Sequence, residues 1–253
     1  MNRSRRWAIA IAGITPFTAP HASADVVQFS DTSVTALAGF NYAVDPERNY
    51  SATIENFTAL SFGDSYAFLD LNYFPPKQAA PPSRTSFYFE WRPRFSLGKV
   101  VGFLPKGGLF RDFLLSGNLE QGKGTRKTRA LAGVAMDLNG IGQFFQINLY
   151  RRNELHGRGF DGWQLTPVFA FPFAIDGQNY LVDGYTDIVF ASKSKAGNLH
   201  FNPQVKWNAY SGTGNLWLGV ELDVWTNKYG IRDSDRFNTN QKIAWSLIAR
   251  YHF

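Results

Sequence analysis

The stretch from Ile243 to Phe253 alternates between two kinds of side chain with a period of two. One face collects Ile243, Trp245, Leu247, Ala249, Tyr251 and Phe253. The other, more polar face carries Lys242, Ala244, Ser246, Ile248, Arg250 and His252. Successive side chains of a β-strand point to opposite faces, so this pattern predicts a strand with one entirely apolar and aromatic face.

Such a strand has two interpretations. An aromatic residue at the last position, with another two positions before it, is typical of the closing strand of a bacterial outer-membrane β-barrel, in which pairing of the end strands abolishes the sheet edge. Tyr251 and Phe253 resemble the signal that the barrel-assembly machinery reads, so that machinery is an expected partner. The alternative is an ordinary amphipathic edge strand.

The first residues carry the features of a secretory signal. Arg3, Arg5 and Arg6 precede an apolar run from Trp7 to Ile14, and Ala22-Ser23-Ala24 provides a small-residue cleavage site. A segment of this kind is removed on export and is too short to span a bilayer. We therefore expect a signal peptide over residues 1–24 and a single domain over residues 25–253, which is exported through the periplasm.

Composition excludes several classes of protein. The chain has no cysteine, so it offers no disulfide, thiolate nucleophile or thiolate metal site. No stretch after residue 24 holds 18 consecutive apolar residues, which excludes transmembrane helices. Removing the three arginines of residues 1–24 leaves 23 lysines and arginines against 20 acidic residues, which is too mild a charge to indicate a nucleic-acid partner. We predict no metal and no cofactor.

Alternating segments recur along the rest of the chain. Strands are predicted at residues 33–42, 52–60, 65–73, 87–98, 109–120, 129–138, 145–150, 163–173, 181–191, 199–210, 216–227 and 243–253. Longer polar connections are predicted at 45–49, 75–82, 122–127 and 151–162, and they alternate with shorter turns. The basic loop at residues 123–129 is expected to be a solvated loop or a contact to lipopolysaccharide, and attraction of nucleotides is a further alternative.

The stretch from Phe87 to Gly98 separates its faces most clearly. Phe87, Phe89, Trp91, Pro93 and Phe95 alternate with Tyr88, Glu90, Arg92, Arg94 and Ser96. Ionisable groups at successive inward positions are costly in a packed core but natural in a wet lumen. The sequence therefore predicts an all-β fold, a transmembrane antiparallel β-barrel of about 12 strands with short periplasmic turns and longer extracellular loops in a Gram-negative outer membrane.

The same stretch resembles the nucleoside-specific channel-forming family, the Tsx and OmpK type of outer-membrane protein. The likeness lies in Glu90, the run Pro93-Arg94-Phe95-Ser96, Lys99, the run Phe160-Asp161-Gly162-Trp163 and the terminal aromatic strand. It implies a monomeric 12-stranded barrel that passes nucleosides through a narrow lumen, with phages or bacteriocins as further partners. The chain departs from the family pattern at Arg92, where an acidic residue is expected.

A selective lumen for nucleosides needs aromatic surfaces that stack on the base and polar groups that bind ribose hydroxyls. The predicted inward positions supply both. They are Glu55, Phe57, Phe68, Asp70, Tyr88, Glu90, Arg92, Arg94, Asp183, Tyr185, Asp187, Gln204, Lys206, Glu221, Trp225 and Arg250, and Trp217 is a further stacking candidate. We expect Glu90 and Arg94 to form part of the constriction, so that their substitution by alanine alters nucleoside flux.

The charged inward residues also have a purely structural interpretation. We expect Lys206 to lie opposite Tyr185 and diagonal to Asp183 and Asp187 on the neighbouring strand, close enough to interact. Such a ladder would only neutralise charge inside the barrel and hold its shape.

Three other functions stay open. The barrel could be a porin for another small polar solute, an adhesive or phage-receptor barrel, or an outer-membrane hydrolase. Hydrolysis needs a base, and residues 25–253 offer only His156, His200 and His252, with no serine placed by a recognisable motif. We therefore predict no enzyme and no catalytic residue.

Overall fold

The alternating segments form β-strands in the computed structural model, which describes residues 26–76, 83–103, 107–123, 128–157, 159–192, 195–210 and 214–253. The strands within these residues are β1 Val27–Phe40, β2 Arg48–Leu60, β3 Gly63–Tyr73, β4 Thr85–Ser96, β5 Phe110–Gly122, β6 Thr128–Leu138, β7 Phe144–Glu154, β8 Gly159–Ile175, β9 Gln178–Val189, β10 Asn198–Asn208, β11 Leu216–Thr226 and β12 Gln241–His252. Each strand pairs with the next, and β12 pairs with β1, so the sheet is a closed barrel. The predicted 12-stranded antiparallel barrel is confirmed.

The seam between β1 and β12 closes the barrel. These strands pair antiparallel from Ser33–His252 to Phe40–Trp245. On its other side β12 pairs with β11, and a register shift after Asp223 pairs Trp225 with Gln241. The shift turns Gln241 inward, where it is buried, and leaves Lys242 exposed. The prediction that Lys242 belongs to the inward face was wrong for this reason.

Apolar and aromatic side chains cover the outside of the barrel, and charged side chains lie inside. Trp91 is 45% exposed and Leu115 is 52% exposed, whereas Glu90 is 5% and Lys206 only 1% exposed. A water-soluble protein almost never buries lysine and glutamate in this way while exposing large apolar groups. The arrangement is that of a barrel whose outer wall faces lipid. Within the described residues, no helix is both long and apolar enough to cross a membrane.

The two ends of the barrel carry different connections. We call the end with Phe253 the lower end and the opposite end the upper end. The upper connections are residues 41–47, 74–84, 123–127, 155–158, 190–197 and 227–240. The lower connections are residues 61–62, 97–109, 139–143, 176–177 and 209–215. Short turns therefore prevail at the lower end, and the main exception is 97–109, which contains the short helix α1, Leu97–Val101.

One predicted loop is shorter than expected. Residues 151–162 were expected to form a polar loop, but β7 continues to Glu154 and β8 begins at Gly159. The ladder continues because Arg152 remains an inward, buried position that pairs with Leu131 on β6. Polar residues near a strand end resemble a loop in sequence although their backbone is still paired.

Some predictions fall outside the described residues. These are the signal peptide over residues 1–24, positions 77–82 of the proline-rich connection and positions 124–127 of the basic loop. The signal peptide and the lipopolysaccharide contact of that loop therefore stay predictions.

Two strand glycines provide a matched test of the packing between strands. A Cβ added to Gly219 on β11 would lie 2.1 Å from the carbonyl oxygen of Val205, whereas one added to Gly117 on β5 meets Pro93 Cγ at 3.5 Å. We expect Gly219→Ala to destabilise the barrel by about 1–3 kcal/mol, because the backbone of β10 has to move. Gly117→Ala is the control and should be tolerated. Urea unfolding of the refolded barrel measures both, and equal stability of the two variants would contradict the prediction.

Candidate functional site

Charged and aromatic side chains reach into the barrel from all of its walls. The residues predicted to line the lumen occupy inward positions of their strands: Glu55, Phe57, Phe68, Asp70, Tyr88, Glu90, Arg92, Arg94, Asp183, Tyr185, Asp187, Gln204, Lys206, Glu221, Trp225 and Arg250, together with Trp217. Their alternation therefore gave the correct face. Their contact with a solute stays a prediction.

One side chain connects opposite walls in the middle of the lumen. The guanidinium carbon of Arg92 lies 5.7 Å from the ring centroid of Tyr66 and 5.7 Å from that of Tyr185. Tyr66 belongs to β3 and Tyr185 to β9, which are on opposite sides of the closed sheet. Both distances lie within the range of cation–π attraction. We call Tyr66, Arg92 and Tyr185 the central bridge, and it marks a narrow level of the lumen.

Glu90 holds Arg92 in the central bridge. Arg92 Nη2 lies 2.7 Å from Glu90 Oε2, and Arg92 Nε donates to the same oxygen at 2.8 Å. The Tyr88 hydroxyl donates to Glu90 Oε1 at 2.7 Å, and Asn118 Nδ2 donates to Oε2 at 3.0 Å. A buried carboxylate needs such partners because it has lost its water. Glu90 thus has three donor side chains.

Arg94 lies at a different level from Glu90. Its guanidinium contacts Asp64 at 2.5 Å and Asp137 at 2.8 Å, closer to the lower end than Arg92. We expected Glu90 and Arg94 to form part of the constriction, and this stays a prediction. Glu90 pairs with Arg92, because residues two positions apart on a strand lie on the same face and within reach of each other.

Aromatic rings line one wall from the central bridge towards the upper end. The centroids of Tyr66 and Phe68 are 6.0 Å apart, and those of Phe68 and Tyr88 are 5.9 Å apart. These spacings suit rings in mutual contact. We call Tyr66, Phe68 and Tyr88 the first aromatic track.

A second row of rings lies on the opposite wall. The centroid of His200 is 5.2 Å from that of Tyr185 and 3.8 Å from that of Trp225, on which the imidazole stacks. Tyr229 continues the row, with 5.4 Å between its centroid and that of Trp225. We call Tyr185, His200, Trp225 and Tyr229 the second aromatic track. The two tracks meet at Arg92.

A network of ion pairs occupies the lower half of the lumen. Arg250 Nη2 lies 2.7 Å from Glu55 Oε2, and its Nη1 lies 4.0 Å from Asp183. Lys206 Nζ lies 2.6 Å from Asp183. Gln204 Oε1 accepts from Lys206 at 3.0 Å and from Arg250 at 3.1 Å. These groups pair with one another, as the structural interpretation of the charged ladder expects, although Asp183 Oδ1 is buried without a hydrogen-bond partner.

The register of that ladder differs from the prediction. Lys206 pairs with Leu181 rather than with Tyr185, which lies opposite Asn202. Lys206 is therefore diagonal to Asp183 and four positions further along β9 from Asp187 than expected. The register is set by where the hairpin turns, and the sequence of the connection 190–197 does not define that position to within two residues.

The carboxylates Asp70, Asp187 and Glu221 have no ion-pair partner among the described residues. Each accepts a hydrogen bond from a neutral side chain: Thr53 to Asp70 at 2.6 Å, Thr166 to Asp187 at 2.6 Å and Gln204 to Glu221 at 2.7 Å. Phe57 lies nearer the lower end and has Phe29 as a ring neighbour, with 6.4 Å between the centroids.

The wall from β5 to β8 carries a charge cluster that the sequence did not predict. Arg129 lies 3.3 Å from Glu120 and 3.2 Å from Asp161, and Lys195 lies 2.8 Å from Asp161. Arg152 lies 3.5 Å from Glu120. Polar residues at even-numbered positions of β5 and β7 could have predicted this cluster. They were not used because residues 151–162 were predicted to form a loop.

A lysine from the connection 227–240 lies in the upper mouth of the barrel. Lys228 is 2% exposed, and its Nζ lies 2.9 Å from Asp45 and 3.8 Å from Asp223. Three ring centroids lie between 5.3 and 5.8 Å from this ammonium, those of Tyr42, Trp225 and Tyr229. We call Lys228 and these partners the upper clasp. It joins the connection 227–240 to the first hairpin.

Further bonds cross the β1–β12 seam beside the upper clasp. The Tyr229 hydroxyl donates to Asp45 at 2.6 Å, the backbone N–H of Ala43 donates to Gln241 at 2.7 Å, and the hydroxyls of Tyr42 and Ser246 are 2.9 Å apart. Burial raises the pKa of the Tyr42 hydroxyl, so this group stays neutral and keeps its proton for hydrogen bonding.

Both ring nitrogens of His200 have partners among the described residues. Its Nε2 lies 2.6 Å from Asp223, and its Nδ1 lies 3.3 Å from the Tyr185 hydroxyl. A serine hydrolase needs its histidine to take the proton of the serine hydroxyl, and both ring nitrogens of His200 have other partners. Within the described part of the chain, no group of three or more His, Asp or Glu residues has a geometry that could hold a metal ion.

A family model matches the sequence of this chain, and solved porin structures are similar to its fold. The sequence model of the family described as "Nucleoside-specific channel-forming protein, Tsx" matches residues 41–253. A solved KdgM porin and the KdgM porin in complex with disordered oligogalacturonate are similar in structure, with TM-scores of 0.51 and 0.50. Each is 9% identical, and each match covers 87% of this chain and 99% of the porin. A search of curated proteins gives no match. The porins show the barrel fold alone.

The pair Glu55 and Arg250 allows a test of the lower ion network. We expect Arg250→Met to destabilise the barrel by about 3–5 kcal/mol, because it leaves Glu55 buried without its cation. The double variant Glu55→Gln with Arg250→Met should recover most of this loss, since it removes both charges. The measurement is urea unfolding of the single and double variants in a double-mutant cycle. If the loss of unfolding free energy in the double variant equals the sum of the losses in the two single variants, Glu55 and Arg250 are not coupled.

Proposed function

Because the chain belongs to the family of nucleoside-specific channel-forming proteins, Tsx, we propose that its barrel passes nucleosides by selective, passive diffusion. The chain is an outer-membrane channel and not an enzyme, as the family and the porin-like fold indicate. What we propose beyond this assignment is the identity of the solute, a nucleoside. It rests above all on the two aromatic tracks, which run from the upper mouth to the central bridge.

The tracks suit the chemistry of a nucleoside. A flat base stacks on aromatic rings with about 1–3 kcal/mol per base, which is strong enough to select and weak enough to release. Ribose offers hydroxyl donors, and Asp70, Asp187 and Glu221 are inward carboxylates without a cation in the described structure. A base on either track therefore has hydrogen-bond acceptors for its sugar within the same lumen.

Oligogalacturonate, with which one of the similar porins forms a complex, suits this lumen less well. An acidic oligosaccharide needs cations that are free to bind its carboxylates. Here Arg92, Lys206 and Arg250 each contact a carboxylate of the chain itself. A neutral solute does not need these cations as partners, which favours a nucleoside over a polyanion.

The remaining proposals concern the surroundings of the barrel. The lower end would face the periplasm, as it carries Phe253 and most of the short turns, and β12 would be read by the barrel-assembly machinery. The barrel would be a monomer, and its outer wall would contact outer-membrane lipids and lipopolysaccharide. Phages or bacteriocins would dock on the upper connections. Cleavage of residues 1–24 would precede assembly.

The test of the proposed function is single-channel conductance in a planar bilayer. The refolded residues 25–253 should conduct ions, and adenosine and thymidine should reduce the current in a saturable way. A neutral sugar at the same concentration is the control and should not. Equal block by the sugar would assign the channel to another solute, and an absence of conductance would indicate a closed receptor barrel.

Two tryptophans provide a matched test of the second aromatic track. Trp225 faces the lumen and Trp91 the outside, where it is 45% exposed. Trp225→Leu should raise the adenosine concentration for half-maximal block about fivefold or more, since one stacking surface is lost. Trp91→Leu should leave it unchanged. If both variants behave like the original protein, this track does not contact the solute.

A further inference from the structure

We propose that the guanidinium of Arg92 occupies a slot between Tyr66 and Tyr185 that the planar base of a passing nucleoside takes over, so that Arg92 sets the solute specificity of the lumen. This inference rests on the proposed function and deepens it. It concerns the residue at which the two aromatic tracks meet.

The central bridge places a flat cationic group between two phenol rings. The guanidinium carbon lies 5.7 Å from each ring centroid, so the two rings are at most about 11 Å apart. A base stacked between them would bring both rings to about 3.5 Å from its faces, which is a ring separation of about 7 Å. The guanidinium is itself planar and interacts with aromatic faces. Arg92 therefore lies where a base would have to lie to contact both tyrosines.

Arg92 is held less firmly than its inward neighbours. Arg94 contacts two carboxylates, Asp64 and Asp137, and Arg250 contacts Glu55 and Asp183. Among the described residues, Arg92 forms an ion pair with Glu90 alone. To leave the slot, Arg92 has to give up one carboxylate, whereas each of the other two arginines would have to give up two.

When Arg92 moves, Glu90 gives up its cation and keeps two neutral hydrogen-bond donors. These donors are the hydroxyl of Tyr88 and the amide of Asn118. Asp187 lies two positions along β9 from Tyr185 on the same face and has no ion-pair partner in the described structure. It offers a second carboxylate beside the slot. The guanidinium can thus exchange Glu90 for Asp187 without losing a counter-charge.

The solute specificity of the lumen then depends on which solutes can replace the guanidinium between the two tyrosine rings. A heteroaromatic base supplies two flat faces and regains the ring contacts that Arg92 gives up. A sugar has no flat face and regains none of them. A cationic solute is also repelled by the displaced arginine. The slot therefore admits neutral planar rings in preference to other solutes of similar size.

The experiment compares four proteins in the planar bilayer, the original chain, Arg92→Ala, Arg92→Lys and Arg111→Ala. Arg111 is the matched control, because its side chain is 47% exposed and contacts neither tyrosine of the slot. Heat-modifiable mobility on gels checks that each barrel is folded. Glu90→Gln with Arg92→Ala serves as a second variant, in which no carboxylate loses its cation.

Arg92→Ala and the double variant have no guanidinium in the slot. Their conductance in potassium chloride should be at least twofold higher than that of the original chain. They should also be half-blocked by adenosine at a concentration at least fivefold lower, because the base no longer competes with arginine. Arg92→Lys keeps the charge without the planar group and should shift adenosine block in the same direction. Arg111→Ala should match the original chain.

Unchanged conductance and unchanged adenosine block in Arg92→Ala and in the double variant would overturn the inference. Arg92→Lys behaving like the original chain would also overturn it, since charge alone would then explain the site. If adenosine blocks no variant while Arg92→Ala still raises conductance, the proposed nucleoside function fails and Arg92 is only a barrier to ions. The two failures are therefore distinguishable.

Discussion

Every backbone N–H and C=O group within the hydrocarbon of a membrane needs a partner inside the protein, because lipid supplies none. In this chain the β1–β12 pairing meets that requirement, since it removes the last free sheet edges. Closure then fixes the two faces of every strand. Outward positions contact lipid and are apolar, and inward positions face a space too narrow for bulk water to separate opposite charges.

The narrow interior explains why the inward lysine and arginine side chains are paired. Lys206, Arg94 and Arg250 are each within 3 Å of a carboxylate oxygen, as buried ions must be if their hydration is lost. A lumen lined by such pairs is polar but locally neutral. Ions entering it find few unpaired counter-charges, whereas neutral solutes with hydroxyl groups can exchange hydrogen bonds with its walls.

Alternation with period two predicted the strands and the inward face, because a lipid-facing wall forces every second residue to be apolar. The sequence could not give contacts across the barrel. Arg92 and Tyr185 belong to β4 and β9, and their contact depends on the closed shape of the sheet rather than on any local pattern. Tyr66 was overlooked although it shares a face with Phe68. The four-residue error in the partner of Lys206 reflects a turn without a specific signature.

The bonds that cross the upper end of the seam have a mechanical consequence. β1 and β12 come from opposite ends of the folded domain, so theirs is the pairing with the largest loop-closure entropy in the barrel. Lys228, Tyr229 and Ala43 fasten the connections on the two sides of this seam to each other. These contacts oppose separation of β1 from β12, which would open the wall of the barrel towards lipid. The upper rim is therefore also the part of the barrel that holds its first and last strands together.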